Sequence, residues 1–194
     1  MNLKTTIKIA LTTLVAVPLA GLVWAATTTA RHDEADRVAR GKYLVTYGDC
    51  NACHTPLKMG ANGPEPDWSR MLAGHPAETE LPPPPNLEGS PWFAATAGMT
   101  AWAGPWGVSY AANLTPDKNT GMGIWTEEMF IQAMRTGRHM GSGRPILPPM
   151  PWHSIASLSD DDLKAIYAYL RTVPAIANSV PGPLGPDGQP MFTE

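Results

Sequence analysis

Gly48-Asp49-Cys50-Asn51-Ala52-Cys53-His54 contains both cysteines of the 194-residue chain, and its spacing decides how everything around it is read. C-x-x-C-H is the pattern at which two haem vinyl groups become thioether-linked to cysteine sulfurs while the next histidine ligates the iron. Two residues between the cysteines, on a helical turn, let both sulfurs reach the two vinyl edges, and the following residue carries its imidazole to the metal. With two Cys and five His in the chain, a given Cys meets Cys at +3 and His at +4 by chance only about 3 times in 10,000. The signal is specific. A zinc site would need two further ligands at similar spacing, and His32, His75, His139 and His153 form no such pair. A thioredoxin-like dithiol expects a βαβ context that the sequence lacks. A Cys50–Cys53 disulfide suits an assembly intermediate better than an endpoint.

A sixth iron ligand must come from elsewhere, and a thioether favours ferrous iron relative to a second histidine. Nine of the ten methionines lie beyond the first residue. Met150 stands out in Leu147-Pro148-Pro149-Met150-Pro151-Trp152, where prolines on both sides stiffen an extended strap able to hold a sulfur without a helix. Met140 and Met99 are the reserves, and His139 and His153 would give a bis-histidine site of lower potential. Met129 and Met134 fit the core face of a helix.

Three segments read as helices. From about Asp33 to Gly48, Val38, Gly41, Leu44 and Val45 share a side, and a glycine there calls for the close approach of another helix. Glu127 to about Thr136 starts at Thr126, carries Phe130, Ala133 and Met134 on one face, and stops at Gly137. Ser159 caps a third, with Asp160, Asp161 and Asp162 at its positive end and Leu163, Ile166, Tyr167 and Leu170 as its apolar stripe. Leu158 and Leu163 are spaced as a hydrophobic staple. Lys58 to Ala112 differs, with nine prolines, four tryptophans and no sustained period of 2 or 3.6; it reads as a long structured loop without strands.

Lys4 and Lys8 precede an uncharged run from Ile9 to Ala30, the pattern of an export signal long enough also to serve as a membrane anchor. The expected organisation is therefore 1–30 as signal or anchor, 31–175 as one haem-bearing domain, and 176–194 as an irregular, proline-rich tail. Two of the 14 basic residues and none of the 17 acidic ones precede residue 31, so the remainder carries a net charge of −5. That balance, without a Lys/Arg cluster, excludes a nucleic-acid binder that neutralises phosphates. Two cysteines exclude a disulfide-dense mini-protein.

From Arg40 to Pro174 the sequence resembles class I c-type cytochromes, in particular the haem domains of exported cytochrome subunits of bacterial membrane-linked dehydrogenases. The resemblance rests on Arg40-Gly41-Lys42-Tyr43-Leu44 before the haem motif, Leu72-Ala73-Gly74, Asn113-Leu114-Thr115-Pro116-Asp117 and Gly121-Met122-Gly123-Ile124-Trp125-Thr126. It continues in Pro149-Met150-Pro151-Trp152 and in Leu158 to Leu170. It implies an all-α fold of three main helices around one covalent haem c, with the stretch from Pro82 to Trp106 as an unusually long Pro/Trp-rich insert. Cys50 and Cys53 would hold the haem, His54 would be the proximal and Met150 the distal ligand, and Trp125 would point its indole N–H at a propionate. The Gly41 helix would cross the Ile166/Tyr169 face. Such subunits usually carry two or three haem domains, whereas this sequence has one motif. The implied function is single-electron transfer in the periplasm, by Fe(III)/Fe(II) cycling, from a dehydrogenase donor to an oxidase or cytochrome acceptor; no substrate bond is broken. The rival reading is a haem enzyme or gas sensor with an open sixth position.

Overall fold

The computed structural model describes residues 19–87 and 89–192, with side chains from residue 33 onward. The first 18 residues, and with them the start of the expected export segment, lie outside the described residues. Contacts divide the chain into one unit ending at Glu34 and a second from Ala35 to Glu194. The second unit contains the C-x-x-C-H turn, Trp125 and the Met150 strap. Its helices are α1 (Leu19–Tyr47, begun in the first unit), α2 (Cys50–His54), α3 (Glu127–Thr136), α4 (Trp152–Ala156) and α5 (Asp160–Leu170). Among the described residues, no helix is long and apolar enough to cross a membrane.

The helix ends follow local chemistry. Thr126 Oγ1 accepts from the Met129 N–H (3.2 Å) at the start of α3, and Gly137, at φ 64°, closes it with its N–H on the Ala133 carbonyl. Ser159 Oγ accepts from the Asp162 N–H (3.1 Å) at the start of α5. Leu163 is fully buried and Leu158 packs on the same cluster, as the staple spacing requires. That cluster is the core: Val45 from α1, Leu72, Met122, Phe130 and Met134 around α3, and Ile166 and Leu170 from α5. At the crossing of α1 and α5, a Cβ on Gly41 would overlap the Ala165 carbonyl and lie 2.8 Å from Tyr169 Cβ. Arg40, one residue earlier, pairs with Asp162 through Nε at 2.8 Å and Nη2 at 3.3 Å.

The expectation of an all-α fold with three main helices is not met. Strands β1 (Leu57–Gly60) and β2 (Gly63–Pro66) form one antiparallel hairpin, and β3 (Ala94–Ala95), β4 (Ala101–Gly104) and β5 (Gly107–Tyr110) form a three-stranded antiparallel sheet. Both lie in the stretch read as strandless. The strands are at most four residues long, too short for alternation to register, but their turns carry a readable signal. Gly60 pairs with Gly63 across Ala61-Asn62, and Gly104 pairs with Gly107 across Pro105-Trp106. Gly63 (φ 118°) and Gly107 (φ 99°) occupy backbone conformations that other residues avoid.

Pairing sorts the three-stranded sheet into two faces. Ala101, Ala103, Val108 and Tyr110 share one, and with Pro82 to Pro85 they border a cavity of about 440 Å³ that none of the predicted haem-binding residues lines. Trp102 and Ser109 share the other. Within the insert Trp102 is buried, whereas Trp92 is exposed.

The crossing at Gly41 sets a testable cost. Gly41→Ala is expected to destabilise the protein by about 3 kcal/mol, lowering Tm by roughly 6–12 °C, because the methyl meets backbone that cannot yield. Gly182→Ala, in open space, is expected to leave Tm unchanged in the same thermal melt. Equal melting of the two variants would refute the close crossing.

Candidate haem site

The chain leaves α1 through Asp49, at φ 51° a left-handed residue, which redirects it into the single turn of α2. Cys50 and Cys53, three apart on that turn, fall on one side, and both are free thiols. Cys50 packs against the apolar core. Its burial pushes the thiol pKa up to about 11, and burial raises that of Cys53 as well. Thr55, fully buried, locks the turn to the core: its hydroxyl donates to Asn51 Oδ1 (2.8 Å) and accepts from the Leu72 N–H (2.9 Å).

His54 closes the turn and is only 8% exposed. Its Nδ1 lies 2.8 Å from the Ala112 carbonyl oxygen, which can only accept, so Nδ1 carries the hydrogen and Nε2 keeps its lone pair. Burial lowers the pKa of the ring, opposed by the Ala112 bond, and the imidazole is neutral at pH 7. Among the described residues, no group of three or more His, Cys, Asp or Glu is arranged to hold a bare metal ion. One oriented imidazole nitrogen beside two free thiols, with no third or fourth ligand grouped with them among the described residues, suits a metal that arrives in its own organic ring. The residues fit haem c.

Met150 is half-buried and packs on the core cluster that Cys50 also borders. Its strap is held from both ends. The Pro148 carbonyl accepts from Ser109 Oγ at 2.5 Å, and Ser109 in turn accepts from Trp106 Nε1 at 3.3 Å, so the three-stranded sheet grips the strap. On the other side the Trp152 indole lies over Gly137, where a Cβ would overlap it, and the Ile146 N–H donates to the Gly137 carbonyl at 2.8 Å. The alternatives are placed differently. Met99 sits on the exposed β3–β4 turn at φ 54°, and the His153 ring stacks on Trp152 at 3.7 Å. Met140 lies in a short turn after α3, and the His139 ring forms a T-shaped pair with Trp125 at 4.9 Å.

Trp125 is half-buried against the core. Its carbonyl accepts from Tyr167 Oη at 2.7 Å, while its indole N–H makes no hydrogen bond to a described residue. Residue-type reasoning missed the groups that orient His54. The Ala112 acceptor is a backbone atom, and Gly74 had a signal only as part of Leu72-Ala73-Gly74. At φ 77°, Gly74 donates its N–H to the His54 carbonyl (2.8 Å), and a Cβ there would lie 2.6 Å from the carbonyl carbon and oxygen of Ala112.

The chain is 34% identical over 132 residues to the gluconate 2-dehydrogenase cytochrome c subunit of Pantoea cypripedii, covering 68% of this chain and 22% of that protein. It is 31% identical over 151 residues to the cytochrome c subunit of alcohol dehydrogenase (quinone) from Gluconobacter oxydans (strain 621H), covering 77% and 24%. It is also 32% identical over 135 residues to the fructose dehydrogenase cytochrome subunit of Gluconobacter japonicus, covering 70% and 21%. The chain thus spans less than a quarter of the length of these curated relatives. Residues 38–174, which run from the helix before the haem motif to the end of α5 and the turn beyond it, match the family described as cytochrome c, and the chain belongs to that family.

Proposed function

We propose that this chain is an exported mono-haem c-type cytochrome that passes single electrons from a dehydrogenase-type donor to a respiratory acceptor. Residues 31–175 form its haem domain, residues 1–30 direct export to the periplasm or anchor the chain at the membrane, and 176–194 form the C-terminal tail. The observation that carries the reading is His54, buried at the end of the cysteine turn with Nδ1 committed to Ala112 and Nε2 free. Bound haem c supplies a one-electron Fe(III)/Fe(II) couple.

The chain's residues divide the remaining work. Cys50 and Cys53 would tether the group through two thioethers. His54 Nε2 would be the proximal ligand, its ring orientation held by the Ala112 carbonyl. Met150 would be the distal ligand, with the Ser109 hydroxyl steadying its strap through Pro148. Trp125 would offer its indole N–H to a propionate. Val45, Leu72 and Met122 belong to the apolar cluster that Cys50 borders, a setting that would favour the less charged ferrous state. The net charge of −5 beyond residue 30 suits a partner with a basic face.

The reading is tested by expressing the full chain with c-type maturation and taking the reduced pyridine haemochrome spectrum against protein concentration. One c-type haem per chain, retained on denaturation and reduced to a single-thioether species in Cys50→Ala, is expected. A chain that emerges without covalent haem contradicts it. The strap is tested separately by imidazole competition. Ser109→Ala removes one hydrogen bond of about 1 kcal/mol and is expected to let imidazole displace Met150 from the ferric protein roughly fivefold more readily. Unchanged imidazole affinity would mean that the sheet does not steady the strap.

A further inference from the structure

The matched cytochrome c region ends at residue 174, yet Asn178, beyond it, is bonded to residues 73–77. Asn178 is 4% exposed and every polar atom of its side chain is used. Nδ2 donates to the Ala73 carbonyl at 2.6 Å and to the His75 carbonyl at 2.8 Å, and Oδ1 accepts from the Ala77 N–H at 2.9 Å. An amide satisfies that set of two acceptors and one donor completely. A carboxylate or an alkyl group of the same size cannot. The Asn178 backbone N–H donates to Thr120 Oγ1 at 2.9 Å, and Asn113 Nδ2 donates to the Ile176 carbonyl at 2.8 Å, so the segment carrying the amide is itself pinned.

The two carbonyls that Asn178 grips flank Gly74. Gly74 is the residue whose N–H meets the His54 carbonyl and whose α-carbon lies against the Ala112 peptide. On either side of it, the His75 N–H donates to the Ala111 carbonyl at 2.9 Å and the Leu114 N–H donates to the Leu72 carbonyl at 2.8 Å. The His75 ring is fastened as well, with Nδ1 2.9 Å from Thr100 Oγ1 and its centroid 4.9 Å from that of Tyr110. Residues 72–77 and 111–114 therefore form a small backbone platform. One of its carbonyls orients His54, and a single side chain from about a hundred residues further along holds it shut.

We propose that Asn178 is a positioning residue for the proximal histidine, acting through residues 73–75 on the Ala112 carbonyl. This rests on the reading of His54 as the iron ligand. A strong hydrogen bond from Nδ1 makes the imidazole a better donor at Nε2, which stabilises ferric over ferrous iron and lowers the potential. Removing the amide takes the donor from the carbonyls of two buried residues, Ala73 and His75, and the platform relaxes to satisfy them. The Ala112 carbonyl then withdraws from His54, and the potential rises.

The experiment uses the full-length holoprotein with Asn178→Ala, and Asn178→Asp as the near-isosteric second variant should the first fail to mature. Midpoint potential is read by spectroelectrochemistry, and exchange of the His54 Nδ1 hydrogen by NMR. Gly41→Ala, at the α1–α5 crossing, is the matched control for stability. The expected result is one covalent haem per chain, an upward shift in midpoint potential and an Nδ1 hydrogen that exchanges about tenfold faster, with the control unchanged in both. A variant that melts earlier but keeps the potential and exchange rate of the parent overturns the inference and leaves Asn178 a stabilising residue alone. Absence of covalent haem from the parent chain overturns instead the ligand reading on which the inference rests, and the haemochrome spectrum distinguishes the two.

Discussion

The 2.8 Å contact between His54 Nδ1 and the Ala112 carbonyl is the constraint around which the rest of the molecule is arranged. A neutral imidazole has one donor and one acceptor, and committing the donor to a carbonyl fixes which nitrogen faces the site and the rotation of the ring. Burial demands that the bond be made, since an orphaned N–H in the interior would cost about 1–3 kcal/mol. The carbonyl must therefore arrive from a distant part of the chain at an accurate position. Gly74, with no Cβ and a left-handed φ, lets two loops approach closely enough for that to happen. Thr55 and Leu72 bind the histidine's own turn to the same place.

The small sheet has a comparable role for the strap that carries Met150. A segment such as Leu147-Pro148-Pro149-Met150-Pro151 has few N–H groups to give, so it cannot join a helix or a ladder of its own. Its carbonyls must be met by donors from elsewhere, and Ser109 on β5 supplies one to Pro148. The Pro/Trp-rich stretch is thus not just extra bulk: past its turn at Pro105-Trp106 it presents Ser109 to the strap, with the Trp106 indole donating to the Ser109 hydroxyl. Trp152 anchors the other end in the space that Gly137 leaves open. The same glycine ends α3, so one residue serves both the helix terminus and the strap.

Much of this was legible in the residues. Thr126 and Gly137 bound α3, Ser159 begins α5, and the glycine at 41 marks the helix crossing, because each of these depends on chemistry local to a few residues. The C-x-x-C-H turn and the family resemblance were legible for the same reason, and the cytochrome c match bears the resemblance out. The strands were not, since pairs of four residues are specified by their turns and by what covers them, and Asn62-Gly63 is the local cue to the first hairpin. Ala112, Ser109 and Asn178 were illegible for another reason. Each acts over a sequence separation set by the fold, one of them through a backbone atom that any residue would supply.

In the proposed function the iron would have two firm protein ligands, His54 and Met150, and would carry electrons rather than bind small molecules. The most direct measurement is the absorption spectrum of the dithionite-reduced holoprotein before and after addition of carbon monoxide. Firm ligation predicts no change in the Soret band, because the distal position is held by the Met150 strap. A prompt shift on adding carbon monoxide would contradict it, since it would mean that the distal position is open and Met150 is not a firm ligand.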